Sequence, residues 1–331
     1  MNKDFQYFLN TRKRSINKGL EQIVTSRSGK EFQSQIKHCL LSDGKRLRPV
    51  VILLTSRLFG GSQKRVMPLA LSHELIHTAS LVHDDIIDQE EYRRGQKSVQ
   101  AKWGVDEAIL TGNALISIAM ELSSGYPPQI IRSLSRMTLQ LSSGEKMELS
   151  ARLGDYSQKR YLDSVRKKTG AMFVSCVSCP AWLGGASEKD ISAIEAFGEH
   201  LGILFQIRDD ILDITASDST IPTDFAPPRI TLPIIHAYRN TEEKFKEEFL
   251  HSWQKLGEPG SDSAYQKVRK FLAEKDSIAF SKKLKLRHAR KALDHLQSLP
   301  HNQFRLYLQE MVSLLKKKGI DRDEKKLFGQ H

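Results

Sequence analysis

The chain carries one acid pattern twice, each time inside an apolar stretch. Asp84, Asp85 and Asp88 lie in Leu81-Val-His-Asp-Asp-Ile-Ile-Asp88, and Asp209, Asp210 and Asp213 in Phe205-Gln-Ile-Arg-Asp-Asp-Ile-Leu-Asp213. On a helix, residues i and i+4 share a face and i+1 lies to its flank. Each triplet therefore points two carboxylates one way and a third aside. Carboxylates among Leu, Ile, Val and Phe are costly unless a cation compensates them. Neither triplet shows a basic partner one turn away on its own face. Grouped hard oxygen ligands suit Mg²⁺, which takes one or two carboxylates together with substrate phosphates and keeps several waters. One such triplet alone would read as a solvated helix face. The same spacing twice, both times in apolar helix, reads as two metal–diphosphate walls facing each other across a cavity.

The surrounding pattern is helical throughout. Leu69, Leu71, Leu75, Ile76, Ala79 and Val82 form an apolar stripe before the first triplet. Ile191, Ile194, Phe197, Leu201, Leu204, Phe205, Ile207 and Ile211 do so at the second, and Leu162, Val165, Thr169, Phe173, Val174 and Val177 mark a helix between them. Sustained period-two alternation is absent, so no sheet is expected. Gly and Pro breaks fall at Asp43-Gly44, Gly60-Gly61, Gly125 to Pro128, Gly154-Asp155, Gly184-Gly185, Pro222 to Pro228, Gly257 to Gly260 and Leu299-Pro300. The pattern predicts an all-α fold: one large bundle of antiparallel helices around a central apolar cavity. It is expected to form a single domain over residues 1–331, with a core at about 25–300 and a frayed basic tail at 316–331. The amphipathic stretches Lys244 to Leu256 and Phe304 to Leu315 read as peripheral helices closing the bundle.

Composition narrows the partners. Net charge is +12, which favours diphosphates, anionic lipid surfaces or nucleic acid. No basic stripe interleaved with aromatics supports nucleic acid, which leaves diphosphates and peripheral membrane contact. The three cysteines, Cys39, Cys176 and Cys179, fit a reducing cytosol rather than a disulfide scaffold, and Cys176 and Cys179 read as small core residues. No segment approaches the ~18 apolar residues of a membrane span, and the N-terminus lacks an apolar signal region. A cytoplasmic location is expected.

Basic groups complement the acids. Lys45 and Arg48, in Gly44-Lys-Arg-Leu-Arg-Pro49, are three apart and expected on one helical face; Arg93 and Arg94 follow the first triplet; Lys168 and Thr169 lie on their own helix. Arg grips phosphate through a bidentate fork and Lys as a point charge. Separate basic groups beside two acid triplets suggest two diphosphate sites. His77 and Gln206 could hydrogen-bond a diphosphate, whereas His83 reads as a satisfied interior histidine.

Together, Glu74 to Asp88, Tyr92-Arg-Arg-Gly95 and Phe205 to Asp213 resemble the trans-polyprenyl diphosphate synthases, the polyprenyl synthetase family, over about Gly44 to Leu232. Within the family the likeness is to the catalytic subunits of long-chain, hexa- and heptaprenyl enzymes. The resemblance implies the isoprenoid synthase fold and a Mg²⁺-dependent head-to-tail condensation of an allylic diphosphate with isopentenyl diphosphate. It implies Asp84, Asp88 and Asp209 as principal metal ligands, with Asp85, Asp210 and Asp213 as further or water-mediated ones. Arg93, Lys168, Thr169 and Gln206 would hold the allylic diphosphate, and Lys45, Arg48, His77 and Arg94 the isopentenyl diphosphate. Small Ala79 and Ser80 before the first triplet imply a deep channel and a product of about C30 or longer; the alternatives are a C15–C20 product or a class I terpene cyclase on the same fold. A homodimer, or a heterodimer with a small regulatory subunit, is expected. The chain departs from the family after the second triplet. Its stretch from Ile214 to Ile230 is short, the first of two usual lysines has no counterpart, Arg229 stands for the second, and Asn113 replaces a common acid.

Overall fold

A computed structural model of the protein describes residues 2–42, 44–215, 229–256, 258 and 260–316. Among them the chain is almost entirely α-helical. The helices are α1 (Lys3–Ser26), α2 (Gly29–Leu40), α3 (Leu47–Leu58), α4 (Gln63–Ile87), α5 (Val99–Trp103), α6 (Val105–Ser123), α7 (Pro128–Leu149), α8 (Gln158–Val165), α9 (Ala171–Leu183), α10 (Glu188–Thr215), α11 (Leu232–Asn240), α12 (Glu243–Gln254), α13 (Asp262–Glu274), α14 (Ser277–Gln297) and α15 (Gln303–Lys316). None of the described helices is long and apolar enough to cross a membrane.

The two triplet-bearing helices are the interior ones. α4 buries residues around most of its circumference, from Val66 through Asp85, because α3, α6 and α9 pack around it. α10 packs on α9 and α14 and joins two apolar clusters. Ile194, Phe197, Leu201 and Leu204 belong to the larger cluster, while Ile203, Ile207 and Ile211 belong to a second one with Tyr161, Leu232, Phe249 and Trp253. Each fully covered Leu, Ile or Phe contributes about 1.5–3 kcal/mol, so both triplets are mounted on the most firmly seated helices.

Several expectations are corrected. The buried core reaches beyond residues 25–300: Phe5, Ile16 and Leu20 of α1 and Leu308, Met311 and Leu315 of α15 belong to the main cluster, because these terminal helices are amphipathic and pack against each other and the bundle. α15 closes the bundle as an amphipathic outer helix, with Leu306, Ser313 and Lys316 left exposed. A short hairpin interrupts the all-helical pattern, with β1 (Tyr92–Arg93) paired antiparallel to β2 (Gln96–Lys97). Strands of two residues are too short for alternation to register, and the signal is in the turn: Arg94 (φ 55°) and Gly95 (φ 76°) both take positive φ, as a type I′ hairpin turn requires. Lys45 and Arg48 do not share a helical face, since α3 begins only at Leu47, after a left-handed Arg46 (φ 50°). The cysteines are free and Cys176 and Cys179 are buried core residues. The expected break at Pro222–Pro228 and the tail from 317 lie outside the described residues.

Candidate active site

The first wall is the C-terminal end of α4. Asp84 is half-buried, and burial, with Glu145 and Asp88 nearby, pushes its carboxyl up to about 7 against the pull of Lys168 and Arg93. Asp85 points inward, 3% exposed. It accepts from Arg93 Nε at 2.7 Å, so the hairpin plugs into this flank of the wall. Asp88 caps α4 and accepts from Arg229 Nη2 at 2.8 Å.

The second wall is the C-terminal part of α10. Asp209 faces Lys45 and Arg48 and pairs with Arg208 at 3.3 Å; burial raises its carboxyl. Asp210 is 3% exposed. It accepts from Tyr161 Oη at 2.6 Å, Gln206 Nε2 at 2.9 Å and the Leu232 backbone N–H at 3.1 Å. Asp213 lies at the exposed rim.

The walls face each other. Arg229 bonds both Asp88 and Glu90, the latter at 2.9 Å, and its charge also acts on Asp213 of the opposite wall. Three residues on, Leu232 is tied to Asp210. Lys168 acts on Asp84 while held by Glu145 at 2.6 Å and by Glu148, which lies within electrostatic reach of Asp210. Burial alone would lower the Lys168 ammonium, but Glu148, Asp84 and Glu145 together raise it.

Local backbone geometry places the cations. Lys168 and Thr169 sit on a π-helical turn, Arg166–Gly170, between α8 and α9. Such turns are rare and often mark functional sites. Glycines wedge this one in place: a Cβ on Gly144 of α7 would come 2.5 Å from Lys168 N, and one on Gly202 of α10 would come 2.8 Å from Gly170 Cα. Arg46, between the two expected binding residues, is structural. It pairs with Glu74 at 2.8 Å, both side chains being 3% exposed, and donates to the carbonyls of Leu40 and Ser42. This anchors the left-handed turn from which Lys45 and Arg48 emerge. Lys45 Nζ lies 6.0 Å and Arg48 Cζ 5.9 Å from the Phe205 ring centre, so the two converge on α10 although no shared helix aligns them. Arg48 Nη1 is 3.0 Å from His77 Nε2. Guanidinium has only donors, so His77 accepts there; burial, and then Arg48, Arg94, Arg46 and Arg93, hold the imidazole neutral. The Arg48 Nε is buried without a partner. Arg94 Nη1 donates to Ser42 Oγ at 3.1 Å.

Sequence reasoning missed Glu145, Glu148 and Tyr161. No motif marks them, since each meets its partner, Lys168 or Asp210, only through the fold. Sequence reasoning also read His83 as satisfied, yet His83 Nε2 is buried without a hydrogen bond against Gly112. Ala79 has no accessible surface, while Ser80 is partly exposed. Ser80 is one turn from Asp84 on the same face and Ala79 is not.

The donor set fits a hard divalent cation. It consists of carboxylate oxygens, with Asp84 crowded by other acids. Among the described residues no three His, Cys, Asp or Glu side chains converge on one point. The walls offer one or two carboxylates each, which is the sparse ligation Mg²⁺ accepts when phosphates and waters complete it.

The family model described as Polyprenyl synthetase matches residues 29–269. The chain belongs to the polyprenyl synthetase family. It is a prenyltransferase whose substrates are prenyl diphosphates. A heptaprenyl diphosphate synthase component 2 from Geobacillus stearothermophilus is 30% identical, over 94% of this chain and 97% of that protein. The geranylgeranyl pyrophosphate synthetase from Pyrococcus horikoshii superposes with TM-score 0.87 at 28% identity, covering 96% of this chain and 99% of that one. A polyprenyl synthase from Caulobacter crescentus, solved with calcium and isoprenyl diphosphate, superposes with TM-score 0.83 at 26% identity, covering 95% and 98%. This polyprenyl synthetase has the all-α fold of these enzymes.

Proposed function

We propose that this prenyltransferase is Mg²⁺-dependent and lengthens an allylic diphosphate with isopentenyl diphosphate to an all-trans polyprenyl diphosphate. The observation that carries the reading is the pair of facing carboxylate walls, each served by its own cations: Lys168 at Asp84, and Lys45 with Arg48 at Asp209. Two separate cation sets suit two diphosphates, and a cyclase has only one to hold.

Asp84, Asp88 and Asp209 would hold the metal. Bound there, Mg²⁺ supplies electrophilic pull on the leaving diphosphate. Lys168 neutralises the allylic diphosphate beside Asp84. Lys45 and Arg48 anchor isopentenyl diphosphate, and the unpartnered Arg48 Nε is a ready donor for it. Neutral His77 accepts from Arg48 and so orients the guanidinium fork. Phe205 and Phe173, in contact with Arg48, cover the site with apolar surface that excludes water from an allylic cation. The isopentenyl double bond attacks that cation, and the proton then lost passes to the departing diphosphate. Asp85, salt-bridged to Arg93, and Asp210, already given three donors, support the walls.

The relatives bear names from geranylgeranyl to heptaprenyl synthase. Small Ser80 below Asp84 supports a long product, of about C30 or more. The chain is proposed to act in the cytoplasm as a single domain and as a dimer, with itself or with a small subunit. Asp84→Ala and Asp209→Ala should each lower prenyl transfer by at least about a hundredfold with an unchanged circular dichroism spectrum. An unchanged rate for either variant would remove that residue from the metal site.

A further inference from the structure

α14 carries the largest net charge of the described helices, with six Lys and Arg against one Asp in Ser277–Gln297. Its inner face is apolar: Leu284, Ala289, Ala292 and Leu296 are buried, and the alanines belong to the main cluster together with residues of α10, on which α14 packs. With that face turned inward, the 100° step per residue turns Lys283, Arg287 and Arg290 outward, with Leu286 among them and Lys291 at their flank. All four cations are exposed, and Leu286 is 44% exposed. They lie along about 12 Å of helix, at 1.5 Å per residue.

Cations on a helix are by default solvated surface, and those of the neighbouring C-terminal helices are neutralised locally. Lys244 pairs with Glu242, Lys246 with Glu243, Lys267 with Glu248 and Lys270 with Glu274. On α14 the outcome differs. Asp294 is four residues from Arg290 and three from Lys291, positions that can pair on a helix, yet among the described residues none of Lys283, Arg287, Arg290 and Lys291 forms an ion pair. Four uncompensated charges around one exposed leucine therefore sit on a convex face.

We propose that this face of α14, through Lys283, Arg287, Arg290 and Lys291, docks the protein on an anionic lipid bilayer, with Leu286 entering the headgroup layer. The charges complement anionic headgroups, and the row lies flat on a plane rather than enclosing a groove. Nucleic acid is a poorer match, because the face presents no aromatic ring on which a base could stack. Phe280, the one aromatic of α14, is instead stacked on His236 at 4.0 Å. The proposal goes beyond the prenyl-transfer reading and gives it a setting. A polyprenyl chain gains by leaving water for a bilayer with every CH₂ it adds, and α14 packs directly on the helix that carries the second acid wall.

The test is cosedimentation of the full chain with vesicles of phosphatidylcholine alone, or of phosphatidylcholine and phosphatidylglycerol in equal parts. Wild type should bind the mixed vesicles and not the neutral ones, and about 1 M salt, where charges act only within ~3 Å, should release it. Replacing Lys283, Arg287, Arg290 and Lys291 together by Gln should weaken binding to the mixed vesicles about fivefold per charge, several hundredfold in all. A control with Lys244, Lys246, Lys267 and Lys270 replaced by Gln removes the same net charge elsewhere and should bind nearly as wild type. Should the fourfold α14 variant misfold, Arg287→Gln and Arg290→Gln singly, each about fivefold weaker, decide instead. The proposal is overturned if wild type ignores the mixed vesicles, if the α14 variant binds them as wild type does, or if the control loses as much. Tighter binding to a DNA or RNA oligonucleotide than to the vesicles, lost in the α14 variant, would also overturn it and assign the face to nucleic acid. Elongation of farnesyl diphosphate without vesicles is a separate measurement, whose failure would remove the prenyl-transfer reading and leave the docking face standing.

Discussion

At Ser80 and Ala79, adjacent residues have opposite surroundings. Ala79 is sealed in the core, with 0% exposure. Ser80, whose hydroxyl donates to the His77 carbonyl at 2.9 Å, lies on the face that carries Asp84. A large side chain at 80 would stand in the path of a growing chain, whereas one at 79 would push against packed helices. Ser80→Phe should therefore shorten the product by one or more isoprene units at near-normal stability. Ala79→Phe should destabilise the fold by about 1–3 kcal/mol, the usual cost of overpacking. Chromatographic sizing of products and thermal unfolding check both, and a Ser80→Phe product of wild-type length would place the channel floor elsewhere. The sequence could name this pair of small residues but not choose between them, because the choice depends on which neighbours α4 meets. The same holds for Lys45: its chemistry suggests a diphosphate contact, but neither its place near Asp209 nor the left-handed Arg46 that delivers it was legible.

Among the elements, the π-turn at Arg166–Gly170 is the most demanding. It exists where it does because Gly144 and Gly202 let two helices close on its backbone. Gly144→Ala puts a methyl within contact of Lys168 N, an atom that cannot swing aside as a flexible side chain would. The expected result is a loss of about 1–3 kcal/mol in stability and a raised KM for the allylic diphosphate, with the isopentenyl KM little changed. Steady-state kinetics with each substrate varied separately test this, and equal changes in both constants would show that the turn does not place Lys168 selectively. Apolar periodicity revealed the helices α4 and α10, since three-and-four spacing survives in sequence. A single extra residue only steps the apolar stripe round the helix by about 100°, a shift too local to mark the π-turn in the sequence. The hairpin was likewise written only in Arg94-Gly95.

For the whole molecule, the seam between α10 and α14 joins the second wall to the C-terminal helices. His200 and His288 meet there with Nδ1 atoms 3.3 Å apart, and the His295 ring lies tilted against His200 with centres 5.6 Å apart. One ring donates and the other accepts, so the two rings cannot both be protonated. Burial first, and then the surrounding charges, lower each to about 4 from the usual 6.5. For His200 the charges are Lys291, His295 and Arg166, opposed by Glu199; for His288 they are His200, Lys291, Arg166 and Arg287. Because the folded values lie below the unfolded ones, these groups stabilise the fold fully above about pH 6.5 and lose that contribution as pH falls toward about 4. Thermal unfolding followed across that window should show a falling Tm, and His200→Gln with His288→Gln should flatten the fall. An equally steep fall in the double variant would assign the acid sensitivity to other groups. The all-α architecture was legible from apolar periodicity, and the two acid walls from the repeated acid spacing. The ties through Arg229, Glu145 and Glu148, and the Tyr161 support of Asp210, were not, because each joins residues far apart in the chain. The central claim is that the two acid walls together drive chain elongation. Its most direct test is incubation of the protein with Mg²⁺, farnesyl diphosphate and labelled isopentenyl diphosphate, with chromatography of the products. Label carried into longer prenyl diphosphates is the predicted result; hydrocarbon formed from farnesyl diphosphate without label would contradict it.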